Sequence, residues 1–176
     1  PGMIGNNARA LGWSVISVLG PMGRDVADTA LLFSASVGRD AMDPLVFPND
    51  PAKFWPLQQF DLSKLRIGYT EDFGVCIVDQ EIRRTFRKRI EALSGFVATC
   101  EPIDFKLGDP DRAFDILRAE NFISSFAQTY RTQPETLGPN IRANMEIASS
   151  ITLADRAWAH LEQTKITRQF AAATEK

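Results

Sequence analysis

Between residues 25 and 38 the apolar positions Val26, Ala30, Phe33 and Val37 recur at spacings of 4, 3 and 4. That is the period of one helix face. Ala27, Leu31 and Leu32 widen the stripe, so the pattern predicts a largely buried helix. Asp25 stands at its start, where a side-chain oxygen accepts a bond from an orphan N–H of the first turn. Gly38 is expected to end it in the left-handed conformation. Residues 1–22 read as loop, with a short β-leaning run from Val15 to Leu19 closed by Gly20-Pro21.

The pattern then changes. Pro44, Pro48, Pro51 and Pro56 punctuate the stretch from Asp40 to Leu62, with Phe47, Phe54 and Trp55 between them. Prolines fix φ and remove donors, so this reads as an extended surface crossing pinned by aromatics rather than a flexible linker. Leu65 to Tyr69 reads as a strand. Asp79 caps a helix with Ile82, Phe86, Ile90 and Leu93 on its inner face and Gly95 at its end, and Phe96 to Cys100 reads as the next strand. Strand, helix and strand in this order predict a βαβ unit, right-handed if parallel.

The remainder is helical. Asp109-Pro110 places an N-cap before a proline at the first helical position. Ala119, Phe122, Ile123, Phe126 and Tyr130 then share one apolar face. A second helix begins near Pro139 with Ile141, Met145 and Ala148 inward. A third starts at Thr152, with Asp155 three residues on as an imperfect capping box. The fold class is α/β: a few-stranded sheet with flanking helices and a helical C-terminal section. One domain is expected over 1–176, its α/β part at 1–105 holding the βαβ-like unit and its helical part at 106–176, with no internal repeat.

Composition narrows the function classes. A hydrophobic share of 44% and a charged share of 24% are those of a soluble globular protein. A formal net charge of -2 gives no global pull towards nucleic acid or an anionic membrane, so neither is expected as a partner. Cys76 and Cys100 form no CxxC pair and read as reduced thiols of a cytoplasmic protein. A single histidine, His160, rules out a His-rich metal site. Neither a charged-then-apolar leader nor an 18-residue apolar run is visible.

No motif in the chain builds a catalytic site of its own. A nucleophile needs a turn that exposes its hydroxyl beside a base, but no G-x-S-x-G occurs and His160 sits mid-helix among Ala157, Trp158 and Leu161. The cluster Arg83, Arg84, Arg87, Lys88 and Arg89 lies opposite the Ile82/Phe86/Ile90 stripe and is flanked by Asp79, Glu81 and Glu91. It reads as a solvated outer face, since no interleaved aromatic platform accompanies it. Asp40 and Asp43 fall far short of the oxygens a hard cation takes and read as turn residues that bond their own backbone. Arg24 and Asp28, four apart, are expected to pair on one helix face, a substrate role being the lesser alternative. Phe122, Phe126 and Tyr130, with Trp158 in the same helical section, read as core before they read as a ligand pocket.

The segment Gly20-Pro21-Met22-Gly23-Arg24-Asp25-Val26-Ala27-Asp28-Thr29-Ala30-Leu31-Leu32, continuing through Gly38 to Asp43-Pro44, carries more. It resembles the stretch just after the catalytic core of the amidase signature family, roughly G-P-M-A-R-T-V-x-D-x-A-x-L-L and then G-x-D-x-x-D-P. Gly23 and Asp25 depart from the pattern, where Ala and Thr are usual. The resemblance extends less specifically over 65–95, where a strand of the L-R-I-G type opens part of a mixed central sheet, and weakly over 114–170.

The resemblance implies an amide hydrolase that works through a serine, a second serine and a lysine, with backbone N–H groups binding the oxyanion and no metal or organic cofactor. Its substrate is a small-molecule amide. That Gly/Ser-rich catalytic segment lies upstream of the matching pattern, and no two glycines are adjacent anywhere here. The chain therefore reads as a partial domain without catalytic residues, an incomplete amidase-signature-type fold that is inactive alone. The ends fit this reading: Ile166 and Phe170 still recur at helical spacing near Lys176, and Pro1-Gly2-Met3-Ile4 resembles the turn leaving the catalytic segment. By resemblance Phe122, Phe126, Tyr130 and Trp158 are candidates for the substrate wall, and Gly20, Pro21, Arg24 and Asp28 are structural. A truncated sheet is expected either to self-associate or to be covered by a helix repacked over the gap. The alternative is a standalone, non-catalytic α/β module that binds a partner through the helices of 110–170.

Overall fold

A computed structural model describes residues 1–105 and 107–175. It is α/β, with helices α1 (Val26–Ser36), α2 (Gln80–Ser94), α3 (Pro110–Thr132), α4 (Pro139–Ser150) and α5 (Leu153–Thr174) and strands β1 (Arg66–Tyr69) and β2 (Thr99–Pro102). Short 3-10 turns at Pro51–Lys53, Leu62–Lys64 and Pro134–Thr136 join them. The chain packs as two compact units, one of residues 1–59 and 118–150, the other of 60–117 and 151–176.

In the first unit Asp25 caps α1, its Oδ1 accepting from the Asp28 N–H at 2.8 Å. The helix ends at Val37, which adopts extended backbone. Gly38 does not take the left-handed role expected of it, because Val37 is buried and bridges Ile4 antiparallel, drawing the chain straight out of the last turn. Val15–Leu19 forms no strand. The proline-rich crossing is pinned as expected: Phe54 meets Phe33 of α1 edge-on at 4.8 Å. The expectation that α1 is largely buried fails. None of its residues is buried, since in this structure only the Phe33 side of the stripe has a partner. The buried apolar side chains of this unit are Val37, Ala119, Leu137, Met145 and Ala148.

The second unit contains the expected βαβ unit. β1 and β2 pair in parallel, Arg66 opposite Thr99 and Tyr69 opposite Pro102. β2 begins three residues later than the periodicity predicts. Residues 96–98 are spent turning out of α2, with Phe96 N–H bonded to Leu93 O at 2.9 Å, before Ala98 N–H reaches Leu65 O at 2.8 Å. Asp79 caps α2 through the Glu81 N–H at 2.7 Å. Phe86 lies edge-on to Tyr69 of β1 at 6.0 Å, whereas Ile82, the first member of the expected inner face, is 61% exposed.

Asp109 precedes α3 and accepts from the Arg112 N–H. Thr152 and Asp155 form a complete capping box at the start of α5, each side chain accepting from the other's backbone N–H. Phe105 stands between Phe73 at 6.2 Å and Phe170 at 5.8 Å, both edge-on. With Ala113, Ile116, Leu117 and Ala159 it is among the buried apolar residues of this unit.

Candidate functional site

The motif segment 20–44 is organised around two ion pairs. The first is exposed: Arg24 Nε donates to Asp28 Oδ2 at 2.7 Å across one turn of α1, as the spacing predicts. Asp25 and Thr29 tighten the same turn, Thr29 Oγ1 donating to the Asp25 carbonyl at 2.8 Å. Gly23 lies so close that a Cβ built there would stand 2.5 Å from the Thr29 nitrogen, whereas Gly20 faces open space.

The second pair is buried and was not legible in the sequence. Arg9 Nη2 meets Asp43 Oδ1 at 2.6 Å, with side-chain exposures of 7% and 0%. Every oxygen of the carboxylate is used. Asp43 Oδ1 also accepts from the Leu45 N–H at 2.9 Å, and Oδ2 from the Asn6 N–H at 2.8 Å. These two backbone donors, more than the Arg9 charge, hold the Asp43 carboxyl below the usual aspartate range. Arg9 spends its other donors on the carbonyls of Asn6, Ser14 and Ser17. The turn role expected for Asp40 and Asp43 is observed, each accepting from the backbone N–H two residues on. What the turn reading missed is the partner 34 residues upstream.

Of the four substrate-wall candidates, α3 brings two together. Phe122 and Phe126 have ring centroids 5.8 Å apart, tilted by 41°, and the Arg118 guanidinium lies 4.8 Å above Phe122. Tyr130 is half-buried further along the same helix. Trp158 belongs to the second unit, where Arg112 covers its ring at 4.1 Å and reaches Asp155 Oδ1 at 3.2 Å. The Thr152 hydroxyl and N–H, then Arg112, lower the Asp155 carboxyl.

The basic face of α2 is largely neutralised. Arg83 meets Asp72 at 2.9 Å and Glu71 at 3.5 Å, Arg87 pairs with Glu71, and Arg84 faces Glu81 at 3.8 Å. The Arg87 hydrogen bond lowers Glu71, and Glu71 raises Arg87 in return.

The second unit also holds an open groove of about 780 Å³, lined in part by Tyr69, Phe73, Phe86, Ile90, Ile103 and Phe170. Its lining is scattered over a hundred residues; the sequence signals were Phe86 and Ile90 on the apolar face of α2, the strand ending at Tyr69, and Phe170 continuing a helical apolar period. His160 is exposed on α5. Among the described residues the lysine ion pairs run to carboxylates, Lys64 to Asp61 and Lys165 to Glu162. Among those residues no cluster of three or more His, Cys, Asp or Glu side chains is placed to hold a metal ion. None of their helices is long and apolar enough to cross a membrane.

Residues 11–174 match the family model described as Amidase. The chain is 30% identical over 96 residues to the A subunit of the glutamyl-tRNA(Gln) amidotransferase of Clostridium botulinum (strain Langeland), the alignment covering 54% of this chain and 20% of that protein. It is 33% identical over 88 residues to the Maricaulis maris protein of the same name, covering 50% and 18%. The alignments therefore span about a fifth of the length of these curated relatives. Among solved structures, a bacterial aryl acylamidase of the amidase signature enzymes superposes with a TM-score of 0.84 at 18% identity, over 99% of this chain and 38% of that one. At that identity the likeness shows the fold.

Proposed function

We propose, because this chain belongs to the amidase signature family, that it is scaffold from an amide hydrolase whose nucleophile lies outside these 176 residues. The observation that carries this is the pairing of a family match over 11–174 with coverage of only 38% of a structure that superposes on nearly all of the chain.

The complete enzyme cleaves the amide C–N bond in two steps. A serine attacks the carbonyl to form an acyl-enzyme, a lysine acting through a second serine moves the protons, and backbone N–H groups stabilise the oxyanion. The chain alone is inactive on this reading. The absence of adjacent glycines supports it. So does the state of α1, an apolar helix, and α2, an amphipathic one, neither with one buried residue. Phe122, Phe126 and Tyr130 on α3, and Trp158 on α5 as a separate candidate, are the side chains proposed to meet an acyl or aryl group. The name of the superposed aryl acylamidase points to aryl amides as the first substrates to try. Cys76 and Cys100, both free thiols, support a reducing cytoplasmic setting.

The purified chain is expected to turn over no amide, a simple aryl amide included. Turnover that survives repurification would overturn the reading. The coding sequence upstream of Pro1 is expected to encode a Gly/Ser-rich serine motif, and the protein that includes it to hydrolyse a member of an amide panel.

A further inference from the structure

Residues 1–24 contain no helix or strand beyond the single bridge at Ile4, yet this stretch is held at many points. Gly2 O accepts from the Phe47 N–H at 3.1 Å, and Gly2 has φ +92. A Cβ there would strike Leu45 O and the Phe47 ring, and one at Gly5 would come within 2.5 Å of Asp40 Cβ. Asn6 and Arg9 both bond Asp43, and Arg9 gathers three carbonyls from residues 6–17. The turn 37–47 is thus a clamp on the segment 2–17, and Arg9–Asp43 is its centre.

Stability alone is a poor explanation for a buried ion pair. Desolvating two charges costs about what their attraction returns, and apolar residues of similar volume serve as well or better. What a forked guanidinium supplies in addition is direction: five donors in a fixed plane lock several carbonyls into one arrangement. In a segment without helix or extended strand, this fork adds to the Ile4–Val37 bridge and the Phe47–Gly2 hydrogen bond in fixing the backbone path.

We propose that Arg9 and Asp43 are positioning residues for acyl transfer: by clamping the backbone of residues 2–9 they fix the chain that leaves the nucleophile-bearing segment. This rests on the reading above that the segment precedes Pro1. Neither side chain touches substrate; both act through the backbone they hold. Misplacing a reacting group by about an ångström costs on the order of a hundredfold in rate, so the effect should fall on kcat.

The test uses the complete enzyme. Asp43→Asn is expected to lower kcat about 10–100-fold with KM little changed, and to make the Arg9–Ala10 bond, protected in the parent, open to trypsin. Arg9→Met combined with Asp43→Asn removes both charges and guards against a fold lost to one unpaired charge. This double variant is expected to recover thermal stability relative to Asp43→Asn while kcat stays low. Asp79→Ala, which removes the cap of α2, should lower stability and leave kcat alone. Full kcat in a folded Asp43→Asn enzyme would overturn the positioning role while leaving the hydrolase reading intact. So would a loss of kcat that simply follows the loss of stability across all three variants. If the unsubstituted complete protein cleaves no amide, the hydrolase reading and the positioning role fall together.

Discussion

The Arg112 guanidinium lies 4.1 Å from the centroid of the Trp158 ring, so α3 and α5 meet in the second unit through a cation on an aromatic face. The arrangement is fixed from both ends. Asp155, one turn before Trp158 on α5, accepts from Arg112 at 3.2 Å while it also completes the capping box with Thr152. Because the Arg112 side chain is 54% exposed, the stacking is worth the lower part of the usual range, about 0.5–1 kcal/mol. A double-mutant cycle of Arg112→Ala and Trp158→Ala is expected to return a coupling of about that size by denaturant unfolding. Strict additivity would show that the contact is geometric only.

That contact marks the limit of what the sequence discloses. Helical periods, caps and strand order are local, and they placed α1, α2 and the starts of α4 and α5 to within a residue or two, along with the Asp25, Asp79 and Thr152 caps. Pairings that depend on tertiary structure were hidden. Nothing in a turn sequence such as Asp40-Ala41-Met42-Asp43 tells which arginine will enter it, and Arg9 stands in a stretch without periodicity. Exposure was hidden too: the stripe on α1 announces a partner, and the structure buries none of that helix. The aromatic candidates were legible as a face on α3, and the pairing of Phe122 with Phe126 follows from their four-residue spacing. Trp158 could be named but its partner could not.

Gly23 is a sequence departure with a structural consequence. The family pattern has alanine there, but a Cβ at this position would stand 2.5 Å from the Thr29 nitrogen and 2.9 Å from the Asp28 carbonyl carbon, both backbone atoms that cannot swing aside. Gly→Ala substitutions at permissive sites stabilise by about 0.4–1 kcal/mol through the unfolded chain. Here crowding of the first turn of α1 should outweigh that gain. Gly23→Ala is expected to destabilise by about 1–2 kcal/mol, and an unchanged or raised melting temperature would refute the close approach.

Acid should weaken the protein for an identifiable reason. Asp43, Glu71 and Asp155 all have their carboxyls lowered, by the Leu45 and Asn6 N–H groups, by Arg87 and by Thr152 respectively. A group lowered on folding contributes stability that is fully present above its unfolded value and disappears as pH falls through the folded one. Stability is therefore expected to hold near neutral pH and to decline progressively below about pH 5. Asp43→Asn should flatten part of that acid limb, whereas an acid limb of unchanged slope in the variant would remove Asp43 from the account.

In isolation the chain should associate with itself. β1 and β2 form a two-stranded sheet, so among the described residues each strand has a partner on one side only. Ile77 and Ile82, just before and within α2, are exposed, and so is Phe96 beyond its end. Unpaired strand edges beside apolar side chains are a template for association between copies. Sedimentation of the purified chain at micromolar concentration is expected to show oligomers. Ile82→Glu, which places a charge at an exposed position one turn before Phe86 on the same face of α2, should shift the distribution towards monomer without lowering thermal stability. A parent chain that sediments as a monomer would remove the sheet edge and the α2 face as adhesive surfaces.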